Sequence, residues 1–388
     1  MEMLPNSFTM DIHGLMTNMQ ATAQVVPSNV TEEERQNLLI ACTTLRDALE
    51  TPAETTLRTM LAGYDAVAFR LAIDMNLMDA VVSANGPVSI QKIASKISCD
   101  PVLVRRVVRL LACRGVFAEE GDDLYSPRPL AFEYSSGSPL AAAILHLSTA
   151  GPSMTKLPDY FAERGYRSPG DAFNGPWQYA ECTDNHYFNW LSARPRLQNA
   201  FNIVMGIQRK GRGDEWFQFY PVEEKLRVKS ATDPLLVDIG GGVGHDIIRF
   251  RQCFPTLTGQ LILEDLPLVI EAAVDLPNGI TAIGHDFFQP QPALVRNAKA
   301  YYLRTVLHDW PDKQARIILQ NVKSAMSDES ILLINEGILE SSKVSIHEAR
   351  FDLHMMARLS SLERTESQWR KLVESAGFEL VKLSKGLL

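Results

Sequence analysis

Positive charge is in short supply in this chain. It has 38 Lys and Arg against 46 Asp and Glu, for a formal net charge of -8. A nucleic-acid binder normally shows a basic face, so this balance argues against one. Cysteine is also sparse. Cys42, Cys99, Cys113, Cys182 and Cys253 are scattered, odd in number and form no C-x-x-C. That excludes a disulfide framework or a zinc site of the usual spacing, and no metal is expected. No apolar stretch reaches membrane-spanning length. The N-terminus, MEMLPNSFTMDIHGLMTNMQ, has no basic segment followed by an apolar run. No membrane partner is expected, and a cytoplasmic setting is. Internal repeats and low-complexity tracts are absent. What is present is 46% hydrophobic and 22% charged residues over 388 positions, enough for two domains and a sizeable core.

Residues 1–32 read as a polar, mobile arm. Residues 33–61 carry Leu38, Leu39, Ala41, Cys42, Leu45 and Leu49 at helical spacing, predicting an amphipathic helix whose apolar face packs within the chain or on a second subunit. Up to residue 135 the pattern is helices and then a short hairpin, VFAEEGDDLYSP. Ser89 and Asp100 fit N-caps, Pro101 a first turn and Gly115 a C-cap. This winged-helix pattern, with Arg105, Arg106, Arg109 and Arg114, serves either DNA recognition or dimerisation. The acidic total charge favours dimerisation. Residues 136–222 are helical and rich in aromatics, suiting an apolar substrate layer or an ordinary core.

From about residue 233 the character changes. Predicted strands at 235–239, 260–266, 281–286, 299–306, 331–337 and 378–386 alternate with helices. That alternation predicts an α/β fold with a parallel sheet. Ligands bind beyond the carboxyl ends of such strands. There the first strand delivers Asp238 and the cluster Gly240, Gly241, Gly242 and Gly244. The second delivers Glu264 and Asp265, the third His285, Asp286 and Phe287. The fourth delivers Arg304, then His308 and Asp309, and the fifth Glu336. Glycine permits a tight turn and close approach of a ligand. The spacing G-x-G-x-G is tighter than the dinucleotide fingerprint and lacks the P-loop lysine. An acid at Asp265, a helix and a strand further on, suits ribose hydroxyls.

The segments LLVDIGGGVGHD, LILEDLPLVI, GHDFFQPQP, AYYLRTVLHDWPDKQARIIL, LLINEGIL and SSLERTESQW resemble those of the plant- and fungal-type small-molecule O-methyltransferases, most closely the fungal branch. The resemblance spans roughly residues 35–386. It implies a Rossmann-like S-adenosylmethionine-binding domain at 223–388, a winged-helix dimerisation domain at 33–135, a substrate-cavity layer at 136–222, and a homodimer. It assigns Asp238, Gly240, Gly242, Gly244, Asp265, Leu266, Asp286, Phe287 and Arg304 to the cofactor. His308 matches the family's general base, and Glu336 and Glu363 match the acids that frame it. The implied reaction is methylation of a phenolic or enolic hydroxyl on an aromatic or polyketide-type small molecule.

Two further readings stand beside this one. His308 also fits a helix start, with Asp309 or Trp310 capping and Pro311 beginning the helix. His146 matches a histidine in a pericyclase of the same fold from the leporin pathway, which carries arginine in place of His308. That branch implies an alternative, a cyclase or pericyclase holding S-adenosylmethionine without methyl transfer. The family usually continues past FELVKLSKG into a last antiparallel strand, so an incomplete sheet edge is expected here.

Overall fold

The computed structural model describes residues 30–84, 86–210, 215–273 and 276–384. Residues 1–29, most of the expected arm, lie outside that set. Two compact units emerge, one ending at Ala66 and one beginning at Val67.

In the first unit the single helix expected over 33–61 is two, Glu32–Leu49 and Pro52–Leu61. The break has a local cause. Thr51 adopts an extended cap conformation and forms a capping box with Glu54, and Pro52 starts the next helix. Thr31 and Glu34 cap the first helix in the same way. Neither helix buries a residue: Leu38, Leu39, Leu57 and Met60 are all exposed. Helix Gly63–Asp74 carries the chain from one unit into the next.

The second unit opens with helices Leu77–Val82, Ile90–Ile97 and Pro101–Cys113 and a three-stranded antiparallel sheet. Its strands are β1 (Val88–Ser89), β2 (Phe117–Gly121) and β3 (Leu124–Pro127), ordered β1-β3-β2. Ser89 and Asp100 cap as the sequence predicts; Asp100 Oδ1 accepts from the amides of Val102 and Leu103 at 2.8 and 3.0 Å. Ile90, Ile93, Val104, Val108, Leu111 and Phe117 form the core of this part. Arg105 is paired with Asp123 at 2.6 Å, which ties the third helix to the hairpin turn.

Short helices then lead to the large sheet, whose strands are β4 (Pro234–Ile239), β5 (Gln260–Asp265), β6 (Ile280–Gly284), β7 (Ala300–Arg304) and β8 (Ile331–Asn335). Their order is β6-β5-β4-β7-β8 and every pairing is parallel. Leu235, Leu236, Val237 and Ile239 of β4 are all buried, as expected of a central strand covered on both faces. The connections run outward in opposite directions from β4 and β7, so the crevice of this sheet opens at their carboxyl ends.

Over its described residues, 378–384, the sixth predicted strand is not a strand. Residues 378–384 pair with nothing in the sheet, although Phe378 and Leu380 pack on the core beside β7 and β8. Their apolar alternation is satisfied by side-chain packing without ladder hydrogen bonds.

Candidate active site

The turn after β4 is shaped by its glycines. Gly240, Gly242 and Gly244 have φ of +67°, +62° and +87°, the left-handed region that side chains rarely adopt. A Cβ on Gly240 would stand 2.8 Å from Val306 Cγ2, just past β7, and 3.8 Å from Phe287. The glycine keeps open the place where the two halves of the sheet diverge. Asp238 lies beneath the turn, buried at the end of β4. At the end of β5, Asp265 accepts from the Gly242 amide at 2.7 Å and from the Leu266 amide at 2.7 Å. These bonds tie the carboxylate at the end of β5 to the glycine turn after β4. Asp286 accepts from the Phe288 amide at 3.0 Å, fixing the turn that carries Phe287. Phe287 packs edge-on to Trp310.

Two strand-end residues do something else. Glu264 alternates with Asp265 and faces inward, fully buried, where Gln291 donates to it at 3.0 Å. Burial pushes its carboxyl up to about 7, against the Gln291 bond. Arg304 does not offer a free cation: its guanidinium donates to Asp246 at 2.8 Å, and both side chains are buried. Asp246 stands in the first turn of the helix His245–Cys253 that follows the glycines, so this pair fastens the glycine turn to β7.

The second cluster lies past β7 and β8. Leu307–Asp309 form a single 3-10 turn, and the helix after it is Asp312–Ala325 with Pro311 at its N-cap. Neither Asp309 nor Trp310 caps it; the 3-10 turn takes them out of the helix and swings the His308 ring towards Glu363. His308 Nδ1 lies 2.9 Å from Glu363 Oε1, and its Nε2 lies 3.5 Å from Asp309. Glu336 accepts from the amides of Val306 and Leu307 at 2.9 and 2.7 Å, bracing the turn, while its second oxygen is buried without a hydrogen-bond partner. Burial works to lower the His308 pKa, but Asp309, then Glu363 and Glu336, outweigh it and lift the imidazole to about 10. Burial raises Asp309 to about 6 and raises Glu336 as well, with His308 opposing both shifts.

Residues 226–379 match the O-methyltransferase domain and residues 57–136 the O-methyltransferase dimerisation domain. The O-methyltransferase mfmE of Annulohypoxylon moriforme is 35% identical over 355 residues, 90% of this chain and 87% of that one. The chain belongs to the O-methyltransferase family. Two solved structures share its architecture. One, described as a pericyclic reaction enzyme, has a TM-score of 0.78 and 33% identity, covering 94% of this chain and 93% of its own. The other, LepI in complex with SAM, has a TM-score of 0.77 and 32% identity, covering 96% and 94%. The cofactor of this O-methyltransferase is S-adenosylmethionine, and the residues at the sheet crevice fit it: three left-handed glycines, of which Gly240 and Gly244 leave no room for a Cβ without a close contact, and a carboxylate at the next strand end. Among the described residues no helix is long and apolar enough to cross a membrane, and no group of His, Cys, Asp and Glu is arranged to hold a metal.

Three side chains around this O-methyltransferase site carry no signal in sequence periodicity. Asp352 accepts from the Glu363 amide at 2.8 Å, and the fully buried Arg364 reaches the carbonyls of Leu307 and Trp310. Arg364 stands inside the segment LERTESQW, beside Glu363, yet only its partners reveal what it does. The third is Arg358, 4% exposed, whose Nη2 lies 3.0 Å from His146 Nδ1 and whose Nη1 lies 3.1 Å from His354 Nε2. Its guanidinium also covers the Tyr187 ring at 3.8 Å. Burial, then Arg358, drives His146 down to about 2, so this histidine is neutral.

Proposed function

We propose that the chain methylates a phenolic or enolic hydroxyl of a secondary metabolite, with His308 as general base and two copies forming the working enzyme in the cytoplasm. The observation that carries this reading is the 2.9 Å contact between His308 Nδ1 and Glu363. A carboxylate on one ring nitrogen fixes the tautomer and stabilises the imidazolium, leaving Nε2 to take the acceptor's proton. A phenol ionises near ~10. His308 is lifted to about 10, so once the imidazole is deprotonated the transfer of the acceptor's proton to it is close to thermoneutral. When bound, S-adenosylmethionine supplies an electrophilic methyl carbon, to which the acceptor oxygen bonds as the carbon–sulfur bond breaks and a neutral thioether leaves. The protein's part is to hold the acceptor in line and keep its proton on His308. With the cofactor bound, Asp265 would hold the ribose, Gly240, Gly242 and Gly244 would admit the methionine portion, and Asp286 and Phe287 would flank the adenine. Leu266 lines the same edge, and Asp238 supports the turn from below.

A second reading draws on the likeness to the pericyclic reaction enzyme and on the buried pair of His146 and Arg358. There the bound cofactor would serve as a fixed charge, with no methyl moved. One experiment separates the two readings: comparing metabolite masses with and without the gene in a reconstituted pathway. Methyl transfer leaves a precursor lighter by one methylene when the gene is absent. An isobaric precursor, or one differing by water, defeats the methyltransferase reading and supports the second.

A further inference from the structure

The His308–Glu363 contact joins two pieces of chain that have no regular structure of their own. His308 sits in a one-turn 3-10 segment, and residues 361–364 lie outside helix and strand. Something must hold these pieces in register. Arg364 has the geometry to do so. Its guanidinium donates to Leu307 O at 2.9 Å, to Trp310 O at 2.7 Å, and to Asp312 Oδ1 at 3.0 and 2.9 Å. All of these acceptors lie on the segment that carries His308. The side chain is wholly buried, with Trp369 beneath it at 4.9 Å. Its own carbonyl accepts from the Leu339 amide at 2.9 Å, which ties the same residue to the chain leaving β8 after Glu336. On the other side of Glu363, Asp352 of helix Ile346–Leu359 holds the Glu363 amide at 2.8 Å.

We propose that Arg364, assisted by Asp352, is the positioning residue that sets the separation of His308 and Glu363. A planar fork with five N–H donors is needed to span two carbonyls and a carboxylate at once; a lysine ammonium at that depth cannot. Glu363 is then fixed from both sides, its amide by Asp352 and the residue after it by Arg364. The catalytic meaning of the pair rests on His308 being the base; the clamp itself does not.

The test uses the dimer loaded with S-adenosylhomocysteine and carrying ring-labelled histidine. The chain has 8 histidines, and the His308 signal is identified by its loss in His308→Gln. Its titration midpoint is read by NMR in wild type, Arg364→Lys, Asp352→Ala and Asp352→Asn, each checked for folding by circular dichroism. Removing either anchor lets Glu363 drift from the ring, so the midpoint falls by about one pH unit or more in Arg364→Lys and Asp352→Ala. Asp352→Asn keeps an acceptor oxygen and falls closer to wild type than Asp352→Ala. A folded Arg364→Lys protein that titrates at the wild-type midpoint overturns the proposal. Should Arg364→Lys fail to fold, Asp312→Ala, which removes two of the bonds of the Arg364 guanidinium, is read in its place, and a wild-type midpoint there overturns the proposal. Because the midpoint is read without turnover, failure of the clamp is distinct from failure of the base assignment, which a fully active His308→Ala enzyme would reveal.

Discussion

His308 and Glu363 stand 55 residues apart in the chain, and their side chains meet at 2.9 Å. Glu336 completes the frame from a different strand end, not by touching the ring but by holding the Val306 and Leu307 amides that precede it. The two acids therefore act differently. Glu363 orients and charges the imidazole directly, whereas Glu336 fixes the turn on which it rides and adds its field from behind.

Replacement of His308 by alanine is expected to reduce methyl transfer by roughly 10²–10⁴-fold, the contribution of a positioned base. Affinity for S-adenosylhomocysteine, measured by calorimetry, should be nearly unchanged, since the glycine turn and Asp265 lie on other strands. Unaltered turnover would remove His308 from the chemistry.

The pH dependence follows from the raised His308 pKa. A base works in its deprotonated form, and a group that titrates at about 10 is mostly protonated at neutral pH. The rate of methyl transfer should therefore climb as pH rises from 7 towards 10. Glu363→Gln removes a negative neighbour, which lowers the His308 pKa and moves the climb to lower pH. An unshifted profile in this variant, taken from single-turnover rates, would break the link between the acid and the base.

Gly240→Ala should damage cofactor binding without touching the chemistry. It places a side chain at φ +67° and a Cβ 2.8 Å from Val306. Strain of this kind costs about 1–3 kcal/mol; to the extent that the free turn relaxes out of its binding shape to relieve it, S-adenosylhomocysteine binds more weakly, by at most roughly 150-fold. Adding Val306→Ala relieves the contact but not the backbone strain, so the double variant should recover only part of the loss.

The pair of Arg304 and Asp246 makes a stability prediction. Asp246→Ala leaves a buried guanidinium without its partner and should destabilise the fold by about 3–5 kcal/mol in chemical denaturation. Replacing both together, Asp246→Leu with Arg304→Met, should be much milder, because no lone charge is then left inside.

Local pattern determined a large part of this protein. The five strands of the parallel sheet, the caps at Ser89 and Asp100, and the left-handed glycine turn were legible because each depends on residues a few positions apart. Resemblance carried His308, Glu336 and Glu363 to their positions, but not how they meet. Tertiary structure decided the rest. It joined Arg304 to Asp246 across 58 residues and His146 to Arg358 across 212. It divided the helix expected over 33–61 and left 378–384 outside the sheet despite its alternating pattern. It also gave Arg364 and Asp352 their partners. Hydrophobic period and capping chemistry act over one or two turns of chain. The partner of a buried charge is chosen only when distant segments pack and each polar group must find a hydrogen bond where it has come to lie.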